Sequence, residues 1–189
     1  VTTLMASTGV AAALGWAGGE YDFGMGGIHV PAQLPNIFSD LGAAINNVWT
    51  INTASEGATI TDQTEPFTQA YIEAQEQTPV YTGYLAYDAV HLLAAYAEEL
   101  GTINDEDLVD AMAANEVDVT TTTVENFRFW EPDEETQNGQ TYPHDIAYDR
   151  EAWLENGDSA PIVNQWQDGS LEIVAPEDQA TAEYQQLDR

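Results

Sequence analysis

The chain has 189 residues, of which 33 are acidic and three basic, and with no lysine its formal net charge is −30. This balance excludes nucleic acid and anionic membrane surfaces as partners, because proteins bind both through cationic surface. Hydrophobic residues make up 43% of the chain and aromatic residues 10%, which requires a packed interior, so we expect a folded protein.

The acidity predicts adaptation to high salt. Repulsion among so many like charges destabilises a compact state in dilute buffer, whereas molar salt shortens the Debye length to about 3 Å and screens it. We therefore expect a salt-loving microbe as the host. A calcium-binding protein is the competing explanation, but the spaced Asp/Asn loop that ends in Glu does not occur.

The chain contains no cysteine, and no stretch approaches the roughly 20 apolar residues of a membrane span. Residues 1–6 look like the middle of a strand and lack the layout of a signal peptide. We therefore expect the beginning of a longer protein to be missing here, together with a secretion signal or lipid anchor.

The first third of the chain predicts a β-α unit and a second strand. Residues 1–6 are apolar and β-branched, and Ser7-Thr8-Gly9 can cap a helix over residues 10–16. A glycine-rich stretch over residues 15–35 predicts irregular backbone. The alternation over residues 47–53 then predicts a strand.

Three helices are predicted in the middle of the chain. Pro66 opens the first after a cap at Thr64, and residues 81–100 form the longest, which stops at Gly101. Asn104 caps the third. The apolar positions predict these buried residues: Phe67, Ala70, Tyr71 and Ala74 on the first helix, Leu85, Ala89, Leu92, Leu93, Tyr96 and Leu100 on the second, and Leu108, Val109 and Met112 on the third.

The last third favours strands. Residues 117–123 and 124–130 are rich in β-branched and aromatic types and predict two short strands, followed by a polar loop over residues 131–143. Residues 162–174 predict a hairpin built on Asp168-Gly169, and the tail from Pro176 predicts one short helix. The order of elements indicates the α/β class.

Three segments together resemble the branched-chain amino-acid-binding family of ABC-importer receptors. The first is Tyr-Thr-Gly-Tyr-Leu-Ala-Tyr-Asp-Ala-Val-His-Leu-Leu over residues 81–93. The second is the acidic capped helix at 104–114 followed by Phe127-Arg-Phe129. The third is Tyr142-Pro-His-Asp145 with the later Gln-Trp-Gln-Asp-Gly of residues 165–169.

The resemblance implies the type I periplasmic-binding fold, an incomplete two-lobed, Rossmann-like α/β sandwich. Residues 1–53 would then belong to the second lobe, 54–64 to the hinge, 65–174 to the first lobe, and 175–189 to a tail returning towards the second lobe.

The resemblance also implies that an extracellular protein closes on a small polar solute, an amino acid or a related amide or carboxylate, and delivers it to a membrane permease. The ligand-binding region of an extracellular sensor is the alternative. A hydrolase with paired carboxylates is a weaker one, since scattered acids need no catalytic explanation.

Candidate ligand-binding residues follow the rule that solutes sit beyond the carboxyl ends of strands in open α/β sheets. Ser7 and Thr8 come directly after the first strand, and their hydroxyls and the following amides can hold a carboxylate. The resemblance implies an acid near this point that pairs with an ammonium group; the first acid here is Glu20, which is therefore a further candidate. Trp16 and Tyr21 offer aromatic faces to a solute.

We expect neither catalysis nor a cofactor. No Gly-x-Ser-x-Gly elbow occurs, and without cysteine or lysine there is no thiolate, Schiff-base amine or phosphate-loop lysine. His29, His91 and His144 are too dispersed for a metal site and are interpreted as structural.

Overall fold

The structure, a computed structural model, describes residues 2–4, 6–130, 146 and 161–187. Its centre is one five-stranded sheet with the strands in sequence order. The strands are β1 Thr2–Leu4, β2 Gly26–His29, β3 Trp49–Asn52, β4 Ile162–Gln167 and β5 Ser170–Ala175. The first three run parallel, β4 runs antiparallel to β3, and β5 antiparallel to β4. The predicted α/β class is confirmed.

Within the described residues, five α-helices flank or follow the sheet. They are α1 Ala6–Gly18, α2 Ile37–Leu41, α3 Thr64–Gln75, α4 Tyr81–Leu100 and α5 Asp105–Ala113, with short 3-10 helices at Val30–Gln33 and Gly42–Ile45. In the described part of the chain, no helix is both long and apolar enough to cross a bilayer.

Two local signals in the sequence determine element ends as predicted. Asn104 caps α5, since its side-chain Oδ1 accepts the backbone N–H of Asp107 at 3.1 Å. The β4–β5 hairpin turns at Asp168 and Gly169, whose φ angles are 49° and 98°. Positive φ at both central residues is the geometry that favours Asp-Gly in a two-residue hairpin.

The first apolar core lies between the sheet, α1 and α2. Its buried members are Ala13, Trp16, Ala32, Ile37, Ile45, Val48 and Trp166. Trp166 enters from β4, stacks on Phe38 with ring centroids 5.9 Å apart, and donates its indole N–H to the carbonyl of Ala32 at 2.7 Å. The hairpin is thereby fixed to the elements that follow β2.

A second core forms separately between α4, α5 and the segment after α5. Its buried members are Leu92, Tyr96, Ala111 and Val119. The segment from 119 to 129 packs against these helices and carries only isolated antiparallel bridges in the described residues, Val119 with Phe127 and Phe129 with Ile146. The two strands predicted over 117–130 are therefore wrong as continuous strands. The carbonyls of Thr121 and Thr122 accept the hydroxyls of Thr61 and Thr64, and the Thr122 backbone N–H donates to Asp88 on α4, so these backbone groups do not pair in a ladder.

The buried faces of α3 and α4 differ from the predicted apolar stripes. On α3 the buried residues are Thr64 and Thr68. On α4 they are Tyr84, Asp88, Leu92 and Tyr96, while Leu85 and Leu93 are 39% and 50% exposed. The buried face of α4 is rotated from the predicted one because it follows polar contacts. The Tyr84 hydroxyl bonds to Thr68 at 2.8 Å, and Asp88 accepts three hydrogen bonds.

The tail continues from β5 in a turn and then without helix over residues 180–187, so the predicted terminal helix is wrong within the described residues. Glutamine side chains of β4 hold it. Gln165 accepts the backbone N–H of Gln185 at 2.8 Å and donates to its carbonyl at 2.9 Å, and Gln167 donates to the carbonyl of Glu183 at 2.8 Å. These bonds satisfy tail amides that a helix would otherwise use.

The pairing of β4 concerns the predicted division into lobes. The resemblance places residues 162–174 in the same lobe as the segment that begins at 65, yet β4 pairs with β3 along Trp49 to Asn52. The hairpin therefore extends the sheet of residues 2–52. The polar loop 131–143, the Tyr142–Asp145 segment and His144 lie outside the described residues.

Candidate functional site

The three parallel strands end at one edge of the sheet, and polar residues of the candidate site lie there. β1 ends at Leu4, and α1 begins at Ala6, so Ser7 and Thr8 occupy the first turn of α1, where both side chains are exposed. No acidic side chain lies in this first turn. The free amides and positive end of the helix dipole therefore favour an anionic group beside the two hydroxyls.

Gly9 allows α1 to approach the end of β2. A Cβ added at Gly9 would lie 2.9 Å from Cγ of Pro31 and 3.0 Å from Cε1 of His29. Any larger residue would push the helix start away from the next strand. Glycine here determines how close the exposed pair Ser7 and Thr8 lies to the carboxyl end of β2.

His29 is the last residue of β2 and is fully buried. Its Nδ1 accepts the backbone N–H of Ala32 at 3.1 Å, which caps the 3-10 helix after β2. An accepting Nδ1 leaves the proton of the neutral ring on Nε2, and Nε2 has no hydrogen-bond partner in the described residues. Burial lowers the pKa of His29 below its ordinary value of 6.5, and backbone hydrogen bonds with His29 and Gly9 oppose this only in part, which favours the neutral ring.

The structure does not bring the other candidates to this edge. Trp16 is 4% exposed, lies in the first core, and donates its indole N–H to the carbonyl of Phe23 at 2.8 Å. Glu20 and Tyr21 follow the end of α1, about 20 Å from its start for a 13-residue helix. The ring of Tyr21 packs against Phe23 with centroids 5.4 Å apart. A joint site with Ser7 and Thr8 would need a solute longer than an amino acid.

Behind the carboxyl edge, a buried polar network joins β2, β3 and the first 3-10 helix. The Thr50 hydroxyl bonds to the backbone of His29 at 3.3 Å, and the Gln33 amide donates to Thr50 Oγ1 and to the carbonyl of Ile51, each at 3.2 Å. The sequence predicts a structural role for His29 and contains no motif that indicates Gln33. The signal that could have pointed to them is position, two residues before and two residues after Pro31.

The polar groups at this edge are hydroxyls and helix amides. Within the described residues, no three His, Asp or Glu side chains gather closely enough to hold a metal ion. His91 is distant in sequence and stacks on Tyr87, with ring planes 7° apart. The exposed groups at the edge are the hydroxyls of Ser7 and Thr8 beside the first amides of α1, which are groups that orient a small polar molecule.

This sheet, with parallel strands followed by a returning antiparallel hairpin and a separate helical core, belongs to the type I periplasmic-binding fold. The leucine-binding protein LivK of Thermotoga maritima matches 88% of the chain with a TM-score of 0.61 at 15% identity. LivJ of Streptococcus pneumoniae, solved with isoleucine, matches 87% with a TM-score of 0.58 at 19% identity.

A putative branched-chain amino acid ABC transporter protein from Silicibacter pomeroyi matches 82% of the chain with a TM-score of 0.53 at 16% identity. The chain spans 41% of each of the first two proteins and 38% of the third. At these identities the likeness establishes the fold. No protein-family model and no curated protein sequence matches the chain.

Proposed function

We propose that the chain is part of an extracellular solute-binding component of an ABC importer, which captures a small polar solute and hands it to a membrane permease. The observation that carries this is the exposed Ser7–Thr8 pair on the acid-free first turn of α1, at the edge where the three parallel strands end. The fold, shared with leucine- and isoleucine-related binding proteins, supports the same proposal.

The solute of this proposal is an amino acid or a related carboxylate or amide. Its carboxylate accepts hydrogen bonds from the hydroxyls of Ser7 and Thr8 and from the first amides of α1. In this proposal the helix amides and the two hydroxyls carry the recognition, without a lysine. We propose no solute contact for Trp16, Glu20 or Tyr21, because the first is buried and the others lie at the far end of α1.

The proposed protein has two lobes. Residues 1–53 and the hairpin 162–175 form one lobe around the sheet, residues 65–130 contribute to the other, and residues 54–64 cross between them. The two separate apolar cores support this division. A solute that contacts both lobes then favours the closed arrangement by its difference in affinity for the two states.

A binding role, without turnover, agrees with the histidine environments described above and with the solved relatives, which are named for binding or transport. The acidity supports adaptation to high salt, and the resemblance to importer receptors supports an extracellular location. The test is a thermal-shift screen in molar KCl against amino acids, amides, short carboxylates and sugars. A solute at a hundredfold excess over its Kd stabilises the folded state by about 2.7 kcal/mol. Turnover of any of these solutes would contradict the proposal.

A further inference from the structure

A cavity of about 460 Å³ lies apart from the Ser7–Thr8 edge, on the face of the sheet next to the hairpin. Its walls come from the segment after β2, the segment after β3, the loop between α3 and α4, and the β4–β5 hairpin. Ser7, Thr8, Trp16, Glu20 and Tyr21 do not line it. Its volume falls within the range of small-molecule sites in proteins.

One wall of the cavity is built from buried polar side chains. Gln33, Asn52 and Ser55 are 7%, 6% and 6% exposed, and all three line the cavity. The amide nitrogen of Gln33 is committed to Thr50 and Ile51, but its Oε1 has no hydrogen-bond donor in the described residues. A buried acceptor without a donor is costly, so this wall is complete only when a donor occupies the cavity.

The lining also contains two acidic side chains. Glu56 and Glu172 line the cavity, and Glu172 is positioned by the Thr181 hydroxyl, which donates to its Oε2 at 2.7 Å. Trp166 and Leu171 add apolar surface to the lining. No Lys, Arg or His is among the described residues that line the cavity. The lining therefore matches a small positive charge on an apolar stem.

We propose that this cavity binds a small organic cation with N–H donors, such as a primary alkylammonium. The ammonium donates to Glu172 and to the free Oε1 of Gln33, and the alkyl stem packs on Trp166. Ser55 and Glu56 belong to the crossing segment, and Thr78 and Pro79 directly precede α4. An occupant thus contacts the sheet, the crossing and the helical part together, so its binding is coupled to the arrangement of the two lobes.

The test is calorimetric titration of the protein with n-butylammonium chloride at constant KCl, beside n-butanol and tetramethylammonium chloride. Expected is saturable binding of n-butylammonium, with no saturable binding of the neutral alcohol or of the cation without donors. Glu172→Gln, which retains an acceptor for Thr181, is expected to raise the Kd about tenfold, the effect of one lost charge-assisted hydrogen bond.

Glu177→Gln is the matched control. Glu177 is exposed and lies outside the cavity, and its substitution removes the same charge as Glu172→Gln does. It is expected to leave the Kd unchanged. The proposal is overturned if n-butylammonium does not saturate the wild type, if tetramethylammonium binds as well, or if the two glutamine variants weaken binding equally. Circular dichroism of each variant verifies that it is folded.

Discussion

The Thr122 hydroxyl donates to Oδ1 of Asp88 at 2.6 Å, and the backbone N–H of Thr122 donates to the same oxygen at 2.8 Å. Thr123 donates its hydroxyl to the other carboxylate oxygen at 2.7 Å. Asp88 is 4% exposed and lies in the middle of α4. A buried carboxylate here fixes the segment after α5 to α4 without any cationic partner among these bonds.

Replacing Asp88 with alanine is expected to lower the free energy of unfolding by about 3 kcal/mol, because the bonds to a charged acceptor are lost and the Thr122 amide stays buried without a partner. Asp110→Ala, at an exposed site on α5, serves as the control and should change stability by less than about 0.5 kcal/mol. Urea unfolding in molar KCl measures both. Equal losses of unfolding free energy in the two variants would contradict the role of Asp88 in holding the segment after α5 against α4.

The long helix shows what the sequence can and cannot predict. Its bounds, 81–100, follow from periodicity and from Gly101, whose φ of 66° ends the helix. Its buried face does not, because the tertiary partners of Tyr84 and Asp88 are threonines distant in sequence. Burial of a hydrogen-bonded tyrosine and aspartate displaced Leu85 and Leu93 to the surface, a choice that hydrophobicity alone cannot anticipate.

For the candidate site too, the sequence predicts the position of some residues and not of others. The strand-then-cap pattern located Ser7 and Thr8 at the carboxyl edge, since that placement depends only on local order. Trp16 could not be distinguished from a cleft residue, because an aromatic side chain on a helix serves a core equally well. The cavity beside Gln33 joins segments more than a hundred residues apart in the chain, and no local pattern encodes it.

The stability of the protein should depend on His29 below neutral pH. Burial lowers the pKa of His29 from its ordinary value of 6.5, so the unfolded chain takes up a proton at a higher pH than the folded chain does. The contribution of His29 to the free energy of unfolding is therefore fully present above pH 6.5 and is lost as the pH falls below 6.5.

His29→Asn provides the comparison for this pH dependence, since its Oδ1 still accepts the Ala32 N–H and does not titrate. Urea unfolding from about pH 8 to about pH 5 should show a larger loss in the wild type than in the variant. Every other side chain is common to both proteins, so the comparison isolates residue 29. Parallel profiles would contradict a buried neutral His29.

Tyr84 should make the fold sensitive to strong base. Burial raises the pKa of Tyr84 to about 12, with the Thr68 hydrogen bond lowering it and the charge of Glu56 raising it. The unfolded phenol ionises near 10, so its contribution is present below pH 10 and is lost as pH rises to about 12.

Tyr84→Phe keeps the ring and should cost about 1 kcal/mol at neutral pH for the bond to Thr68. Between pH 10 and 12 its unfolding free energy should fall less steeply than that of the wild type. Denaturant titrations across this range measure the difference. A variant that falls as steeply would mean that the Tyr84 hydroxyl ionises freely in the folded state.

Salt should stabilise the protein by screening its net charge of −30. Raising KCl from about 0.1 M to about 1 M shortens the Debye length from about 10 Å to about 3 Å, so the melting temperature should rise steeply over that range. Sucrose at equal osmolality stabilises by exclusion but does not screen. A melting temperature that responds equally to both solutes, or to neither, would contradict charge screening as the cause.

The most direct test of solute binding at the carboxyl edge is calorimetric titration, in molar KCl, of the solute identified by the thermal-shift screen into the wild type and into Ser7→Ala and Thr8→Ala. Each variant is expected to raise the Kd about tenfold at an unchanged melting temperature, because both hydroxyls are exposed. Ser39→Ala on α2 should leave the Kd unchanged. Equal affinity in all four proteins would contradict binding at Ser7 and Thr8, and no heat with any solute in the folded protein would contradict solute capture itself.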